Sequence, residues 1–208
     1  MSSKKLIYPS AERNKDPILE ILKNYIHPGP NQKFLEIASG SGQHIAHFAP
    51  HFPQVTFYPS EYDEELFSSI IAHCSEFSNI KSPVKIDISK KYSNWSTEIF
   101  EENTFDYMYA SNLMHISPYQ CSIGLLRNAA RLLCKNGILF TYGPFSIDGK
   151  LHPESNIKFD KSLKSRDPEW GIRDITDLRK IGQECNIILS KIHEMPANNK
   201  TLIWIKQN

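Results

Sequence analysis

Residues Lys33 to His44, KFLEIASGSGQH, constrain the fold more than any other stretch of the chain. Phe34, Leu35 and Ile37 make a short apolar strand interrupted by one carboxylate, Glu36. Ala38, Ser39, Gly40, Ser41 and Gly42 then lead into a segment with helical spacing. A strand that passes through a glycine turn into a helix leaves backbone N–H groups unpaired at the helix start. Glycine also lets a ligand approach the main chain closely, because no Cβ stands in the way. The stretch is a nucleotide or nucleoside cradle in outline.

The rest of the chain alternates around it. Asp16-Pro17 reads as an N-cap and first helical residue, followed by Ile18, Leu19, Ile21, Leu22, Tyr25 and Ile26 on one helical face. Arg13 and Asn14, just ahead, are a solvated lead-in or an arm folded over a ligand. After the glycine turn come a helix over about 42–51 and a strand Val55–Tyr58 that ends at Pro59-Ser60-Glu61. A helix over about 63–75 leads to the short strand Val84–Ile86, with Asp87 at its end. A helix is expected over Trp95–Phe100, a strand over Phe105–Tyr109, a helix capped at Ser117-Pro118 and running to Cys134, and a strand over Ile138–Tyr142. This spacing predicts βαβ units and a parallel sheet covered on both faces. Ligands of such sheets bind outside the carboxyl ends of the strands. The residues to weigh are therefore Ala38 to Gly42, Glu61, Asp87, Asn112 and Gly143.

Gly143 to Arg173 breaks the alternation, with three prolines and three glycines. Connections that long are generally lids or binding loops, and Phe159 and Trp170 argue against disorder. A last helix is expected over Asp174–Cys185. The apolar runs Ile187–Leu189 and Leu202–Ile205 flank MPANNK too closely for a helix and should pair antiparallel. If Ile187 to Ile192 runs parallel to the earlier strands, Asn198 and Asn199 emerge on the ligand face. The expectation is one domain over 1–208, with an N-terminal helix and arm at 11–32 and a lid at 143–173.

A net charge of +1 gives no long-range field to draw in a nucleic acid. No apolar run approaches a membrane span, and the N-terminus lacks the apolar run of a secretory signal. Four scattered cysteines without a CxxC pair speak against structural zinc and for a reducing, cytoplasmic setting. His44, His47 and His51 share a helical face, but no carboxylate or cysteine joins them at ligand spacing, so no metal is expected and a half-exposed face is the plainer reading.

A dinucleotide fingerprint wants a third glycine where Ile45 stands, and no Gly-Lys-Ser/Thr follows to make a phosphate loop. What fits is acidic-x-small-x-Gly-x-Gly: Glu36, Ala38, Gly40, Gly42. This resembles the first motif of class I S-adenosylmethionine-dependent methyltransferases. The resemblance implies a Rossmann-like fold of seven mostly parallel strands with a C-terminal antiparallel hairpin. It also implies that the turn lies against the methionine part of the cofactor. Glu61, nineteen residues beyond Gly42, stands where a ribose-binding acid belongs, and Asp87 where the adenine amino group is bound. Nearly the whole chain is similar to the small family that includes methyltransferase-like protein 26, through AERNKDPIL, LEIASGSGQH, NLMHISP, TYGPF, the SN-x-x-FD of Ser155 to Asp160, DPEWGIRD and MPANNK. That family usually carries Asp where Glu61 stands. The implied function is methyl transfer to a small molecule or a small protein site. The alternative is a cofactor-binding scaffold without turnover, and a nicotinamide oxidoreductase comes third.

Methyl transfer is an in-line displacement in which positioning does most of the work. Asn112-Leu113-Met114-His115 follows the fourth strand, where substrate and donor methyl would meet; it is not the Asn/Asp-Pro-Pro-Tyr of some nitrogen methyltransferases. His115 is a candidate general base, or a packing histidine. Tyr142, Asn156, Asp160, Asn198 and Asn199 are candidate substrate contacts, and Arg13 and Asn112 candidate cofactor contacts. A substrate enzyme would need an open space walled by His115, Tyr142 and residues 143–173. Neither the acceptor atom nor the oligomeric state is legible in these residues.

Overall fold

The structure, a computed structural model, describes residues 5–27, 29–95 and 100–207. In chain order it runs α1 (Pro9–Lys23), β1 (Gln32–Ile37), α2 (Gln43–Phe48), β2 (Val55–Glu61), α3 (Phe67–Cys74), β3 (Val84–Lys85) and β4 (Phe105–Ser111). It continues through α4 (Tyr119–Leu132), β5 (Leu133–Gly143), β6 (Phe145–Ser146), α5 (Glu154–Arg166), β7 (Arg173–Asp174), α6 (Ile175–Glu184), β8 (Ile187–Met195) and β9 (Asn199–Lys206). Among the described residues seven strands form one sheet in the order β3-β2-β1-β4-β5-β9-β8. β1 through β5 pair parallel, and β9 runs antiparallel between β5 and β8. This is the parallel sheet that the alternation predicts, in the Rossmann-like arrangement that the resemblance implies.

Two apolar layers cover the sheet. On one face Leu35, Met108 and Leu139 pack against Leu125 and Ala129 of α4 and Leu178 of α6. On the other, Phe34, Tyr107, Tyr109 and Phe140 pack against Ile18 and Leu22 of α1 and Ile45 and Phe48 of α2. Strands buried on both faces read as apolar runs, which is why the central strands were legible.

Several boundaries differ from the sequence reading. α1 begins at Pro9, and Pro17 lies inside it. An interior proline costs a helix one hydrogen bond, yet the buried stripe Ala11, Asn14, Ile18, Leu19 and Leu22 holds one continuous helix across it. Asp16 is thus no cap; its carboxylate reaches His47 Nε2 at 2.8 Å. α4 starts at Tyr119, and the Ser117 hydroxyl donates to Leu113 O (2.7 Å) instead of capping the helix. The expected helix at 95–100 falls largely on residues 96–99, outside the described residues; Tyr92–Asn94 just ahead is one 3-10 turn. Residues 143–173 are not an irregular loop, because they contain β6 and the thirteen-residue α5, with β7 starting at Arg173. Only Asn156, Asp160 and Leu163 of α5 are buried, a stripe too sparse to give a clear apolar period.

The closing hairpin is as expected. β8 is parallel to β5, so Met195–Asn199 turns at the carboxyl end of the sheet, where Gly143 pairs with Lys200.

Candidate functional site

A cavity of about 730 Å³ opens at the carboxyl ends of β1, β2, β3 and β4, within the usual range for small-molecule sites. The glycine turn forms one wall. Ala38, Gly40 and Gly42 all take positive φ, at 57°, 56° and 90°. The two glycines serve different ends. A Cβ on Gly42 would sit 2.8 Å from the Ile70 Cα, so this glycine lets α3 pack against the start of α2. A Cβ on Gly40 would meet only the Tyr8 ring, at 3.5 Å, and would otherwise project into the cavity that Gly40 lines.

Acidic side chains fix the turn from below. Glu61 Oε2 accepts from Gly40 N (2.8 Å), and its Oε1 accepts from Tyr62 N (2.7 Å) and Asp63 N (3.3 Å). One lone-pair site on Oε2 stays available to a ligand hydroxyl. Asp87 lines the cavity with Oδ2 unused among the described residues, because Ser89 directs both its N–H (3.0 Å) and its hydroxyl (2.6 Å) to Oδ1. Glu36 lies behind the turn at 1% exposure. Burial pushes its carboxyl up to about 8; a hydrogen bond from Ser39 opposes the rise and the nearby Glu61 adds to it. Asn112, with φ 57°, lines the cavity beside Leu113 and donates its N–H to Tyr142 O at 2.8 Å.

The N-terminal segment closes the other side, and here the sequence reading missed most. Tyr8, Ser10 and Ala11 line the cavity. Gln43 is the hub that holds them: its Oε1 accepts from Tyr8 N (2.6 Å) and Ser41 Oγ (2.8 Å), and its Nε2 donates to Glu12 Oε1 (2.5 Å). Leu6 N donates to Ser69 Oγ (2.9 Å), and Ser69 Oγ donates to Ser41 O (2.8 Å), so the arm, turn and α3 are one network. The available signal was the polar pair Ser41 and Gln43 inside an otherwise apolar helix start.

His44 is buried, not half-exposed. Its Nε2 lies 2.6 Å from Asn14 Oδ1, and its ring stacks on Phe48. Burial drives its pKa down to about 4. Asn14 is therefore not a solvated lead-in, and it is not among the residues that line the cavity. Arg13 beside it is exposed and is not among the cavity-lining residues, although its charge acts on the Tyr142 hydroxyl.

The expected acceptor wall is arranged differently. His115 and Tyr142 are each 5% exposed and lie outside the lining of this cavity. His115 packs edge-on against Phe159, and its Nδ1 would stand 3.1 Å from a Cβ on Gly143. Burial, helped by the charge of Arg173, lowers its pKa to about 4. Asp160 braces its own segment: Oδ1 accepts from Ile172 N (2.8 Å) and Oδ2 from Lys164 Nζ (2.7 Å). Asn156 donates to His152 O (3.1 Å) and Asn198 O (3.3 Å), while Asn198 donates to Ser155 Oγ (3.3 Å). Asn199 turns back onto Pro196 O and Ala197 O. These amides knit α5 to the β8–β9 turn. Of residues 143–173, Trp170 is the one that lines the cavity.

That segment is clamped by Arg173, which the sequence reading did not single out. Its guanidinium donates to Met114 O (2.8 Å), Ser117 O (2.5 Å) and Glu169 O (3.0 Å) and lies 5.3 Å from the Tyr119 ring centroid. Gly171 N adds a bond to His115 O (3.1 Å). Together they hold the loop after β4, whose Ile116 and Ser117 line the cavity. Among the described residues no helix is long and apolar enough to cross a membrane.

Solved structures share this architecture. An O-methyltransferase family protein from Burkholderia thailandensis matches 96% of the chain with a TM-score of 0.78 and 11% identity. A Galdieria sulphuraria protein, provisionally named a sarcosine dimethylglycine methyltransferase, matches 98% with a TM-score of 0.74 and 12% identity. The S-adenosylmethionine-dependent methyltransferase SibL matches 96% with a TM-score of 0.74 and 12% identity. The chain spans 58%, 92% and 56% of these proteins, respectively. Identities this low establish the fold, that of class I methyltransferases, and nothing finer. Residues 5–206 match a family described as a protein of unknown function, DUF938, and the chain belongs to that family.

Proposed function

We propose that the protein is an S-adenosylmethionine-dependent methyltransferase acting on a small molecule or a small protein site. The carrying observation is the convergence of the glycine turn, the available Glu61 Oε2 and the free Asp87 Oδ2 on one cavity. S-adenosylmethionine supplies a methyl group activated on a sulfonium. The chain's own residues divide the binding. Gly40 gives the main-chain approach, Glu61 accepts from the ribose, Asp87 accepts from the adenine amino group, and Glu36 stands behind the methionine end. Leu113 and Ile88 supply apolar surface around the base.

The acceptor side falls to Tyr8, Ser10 and Ala11 with Ser111 and Asn112, in place of the wall first expected at His115 and Tyr142. His115, held neutral and outside the cavity lining, acts in packing. Trp170 is the contact that residues 143–173 make as a cover. The likeness to methyltransferase-like protein 26 supports the same reading, and four free thiols fit a cytoplasmic setting.

Calorimetric titration with S-adenosylmethionine and S-adenosylhomocysteine tests it. Saturable binding of both at one site is expected. Absence of binding by either overturns the proposal.

A further inference from the structure

A second hollow, of about 650 Å³, runs along α4 and shares Ser89 and Gln120 with the cavity described above. Its lining on α4 extends from Gln120 to Arg131, which is about 16 Å of helix. Five cationic side chains line it, Lys90, Lys91, Arg127, Arg131 and Lys206, against the carboxylates of Glu102 and Glu184. The chain as a whole carries only +1, so the excess is local. Two of the five are engaged within the fold: Lys206 Nζ donates to Leu133 O and Asn103 Oδ1 (2.7 Å each), and Arg131 lies 3.6 Å from Glu102. Lys90, Lys91 and Arg127 are exposed and enter no ion pair among the described residues.

Buried groups hold these cations on one surface. Asn128, 3% exposed, donates to Ile88 O (3.4 Å) and Lys90 O (2.9 Å) and accepts from Tyr92 N (2.9 Å). Glycine weakens a helix interior, but a Cβ on Gly124 would collide with Ile88 O, so here glycine lets α4 close onto the segment after β3. The amide and the glycine fix Lys90 and Lys91 against the helix that carries Arg127 and, one turn on, Arg131. Like charges gathered on fixed backbone raise the potential that an anion feels.

The spread of the charge selects the anion. Cations strung along about 16 Å of helix do not converge on one phosphate. The unbroken phosphates of a nucleic acid would face Glu102 and Glu184. An extended acidic peptide avoids both problems, because its successive side chains point to opposite faces and its carboxylates are spaced. About five residues of extended chain span 16 Å, and the side-chain amides of Gln120, Asn186 and Gln207 can bond its main chain. We propose that this hollow docks an extended, acidic segment of a partner protein. Because Ser89 and Gln120 line both spaces, the docked segment ends at the rim of the first cavity. The proposal holds whatever that cavity binds.

Fluorescence anisotropy of the full chain with a fluorescein-labelled hexapeptide of alternating glutamate and serine tests it, with the all-serine peptide as baseline. The acidic peptide should bind saturably at low ionic strength and be released as salt rises towards roughly 0.5 M. Lys90→Glu combined with Arg127→Glu should weaken it at least about tenfold, because like charges then face each other. Lys158→Glu combined with Lys161→Glu makes the same change in net charge on exposed positions of α5 outside the hollow, and should leave affinity within about twofold. If the first double variant does not fold, carbodiimide coupling of the acidic peptide to the wild-type chain carries the test, with cross-links expected at Lys90 or Lys91. No binding of the acidic peptide, equal loss in the two double variants, or cross-links confined to lysines outside the hollow overturns the proposal. Displacement of the peptide by equimolar inorganic phosphate, or tighter binding of single-stranded oligothymidylate that the first double variant loses, also overturns it and assigns the hollow to a single anion or to a nucleic acid.

Discussion

Replacing each of the two turn glycines by alanine separates what the turn does for the fold from what it does for a ligand. At Gly42 φ is 90°, and left-handed backbone costs an L-residue about 1–2 kcal/mol. The new Cβ would also stand 2.8 Å from the Ile70 Cα and 3.4 Å from the Ile70 O, main-chain atoms that cannot swing aside. Overpacking of that kind adds about 1–3 kcal/mol, so Gly42→Ala should lose about 2–5 kcal/mol in all. For a domain of this size each kcal/mol lowers Tm by about 2–4 °C, which puts the loss at roughly 4–20 °C. At Gly40 the backbone term is similar, but the nearest atoms are the Tyr8 ring at 3.5 Å, an ordinary contact. Gly40→Ala should therefore lose only about 1–2 kcal/mol of stability. Its Cβ enters the cavity, however, and binding of S-adenosylhomocysteine should weaken at least about tenfold, or 1.4 kcal/mol. Thermal melts and calorimetry on both variants read the two effects separately. Gly42→Ala melting within a degree or two of wild type would refute the packing argument, and unchanged affinity in Gly40→Ala would refute the cradle.

Glu61→Ala removes the acceptor for Gly40 N and Tyr62 N as well as the ribose partner, and should weaken S-adenosylmethionine binding by roughly 1–3 kcal/mol; calorimetry giving an unchanged Kd would sink that role. Arg173→Ala strips donors from three main-chain carbonyls and should cost about 2–4 kcal/mol in denaturant unfolding, with Arg173→Lys recovering only part because it has no guanidinium fork. The ligand-free protein should be most stable near pH 6.5. His44 and His115 are held near 4, so stability they contribute above their ordinary 6.5 is lost as pH falls below it. Glu36 is held near 8, so stability also falls as pH rises from 6.5 towards 8, by about 2 kcal/mol. Urea unfolding across that range checks the sign, and a curve still rising from pH 6.5 to 8 contradicts it.

The parts of the molecule legible in the sequence are those set by local chemistry. Strand runs such as Phe34–Ile37 and Phe105–Tyr109 are apolar because they are covered on both faces, and the glycine turn follows from the φ it needs. Glu61 and Asp87 were legible because parallel strands put whatever follows them at one edge. Side-chain direction past a strand end was not legible. Tyr142 sits where a substrate contact was expected, but its register opposite Ser111 turns it towards α1. Asn14 read as a solvated lead-in, and Gln43 drew no reading at all, because their partners, His44 and Tyr8, lie 30 and 35 residues away. Pro17 marked a helix start by local rule and was overridden by the stripe that α1 buries from Pro9 onward. The Arg173 clamp has no local sign at all, since its acceptors are main-chain carbonyls, two of them more than fifty residues distant.

The most direct measurement is a crystal structure grown with S-adenosylhomocysteine. The account predicts its ribose on Glu61, its adenine amino group on Asp87 and its amino-acid end over Gly40, facing Glu36. A nucleoside bound elsewhere, or this cavity filled by the chain's own residues in that crystal, would contradict it.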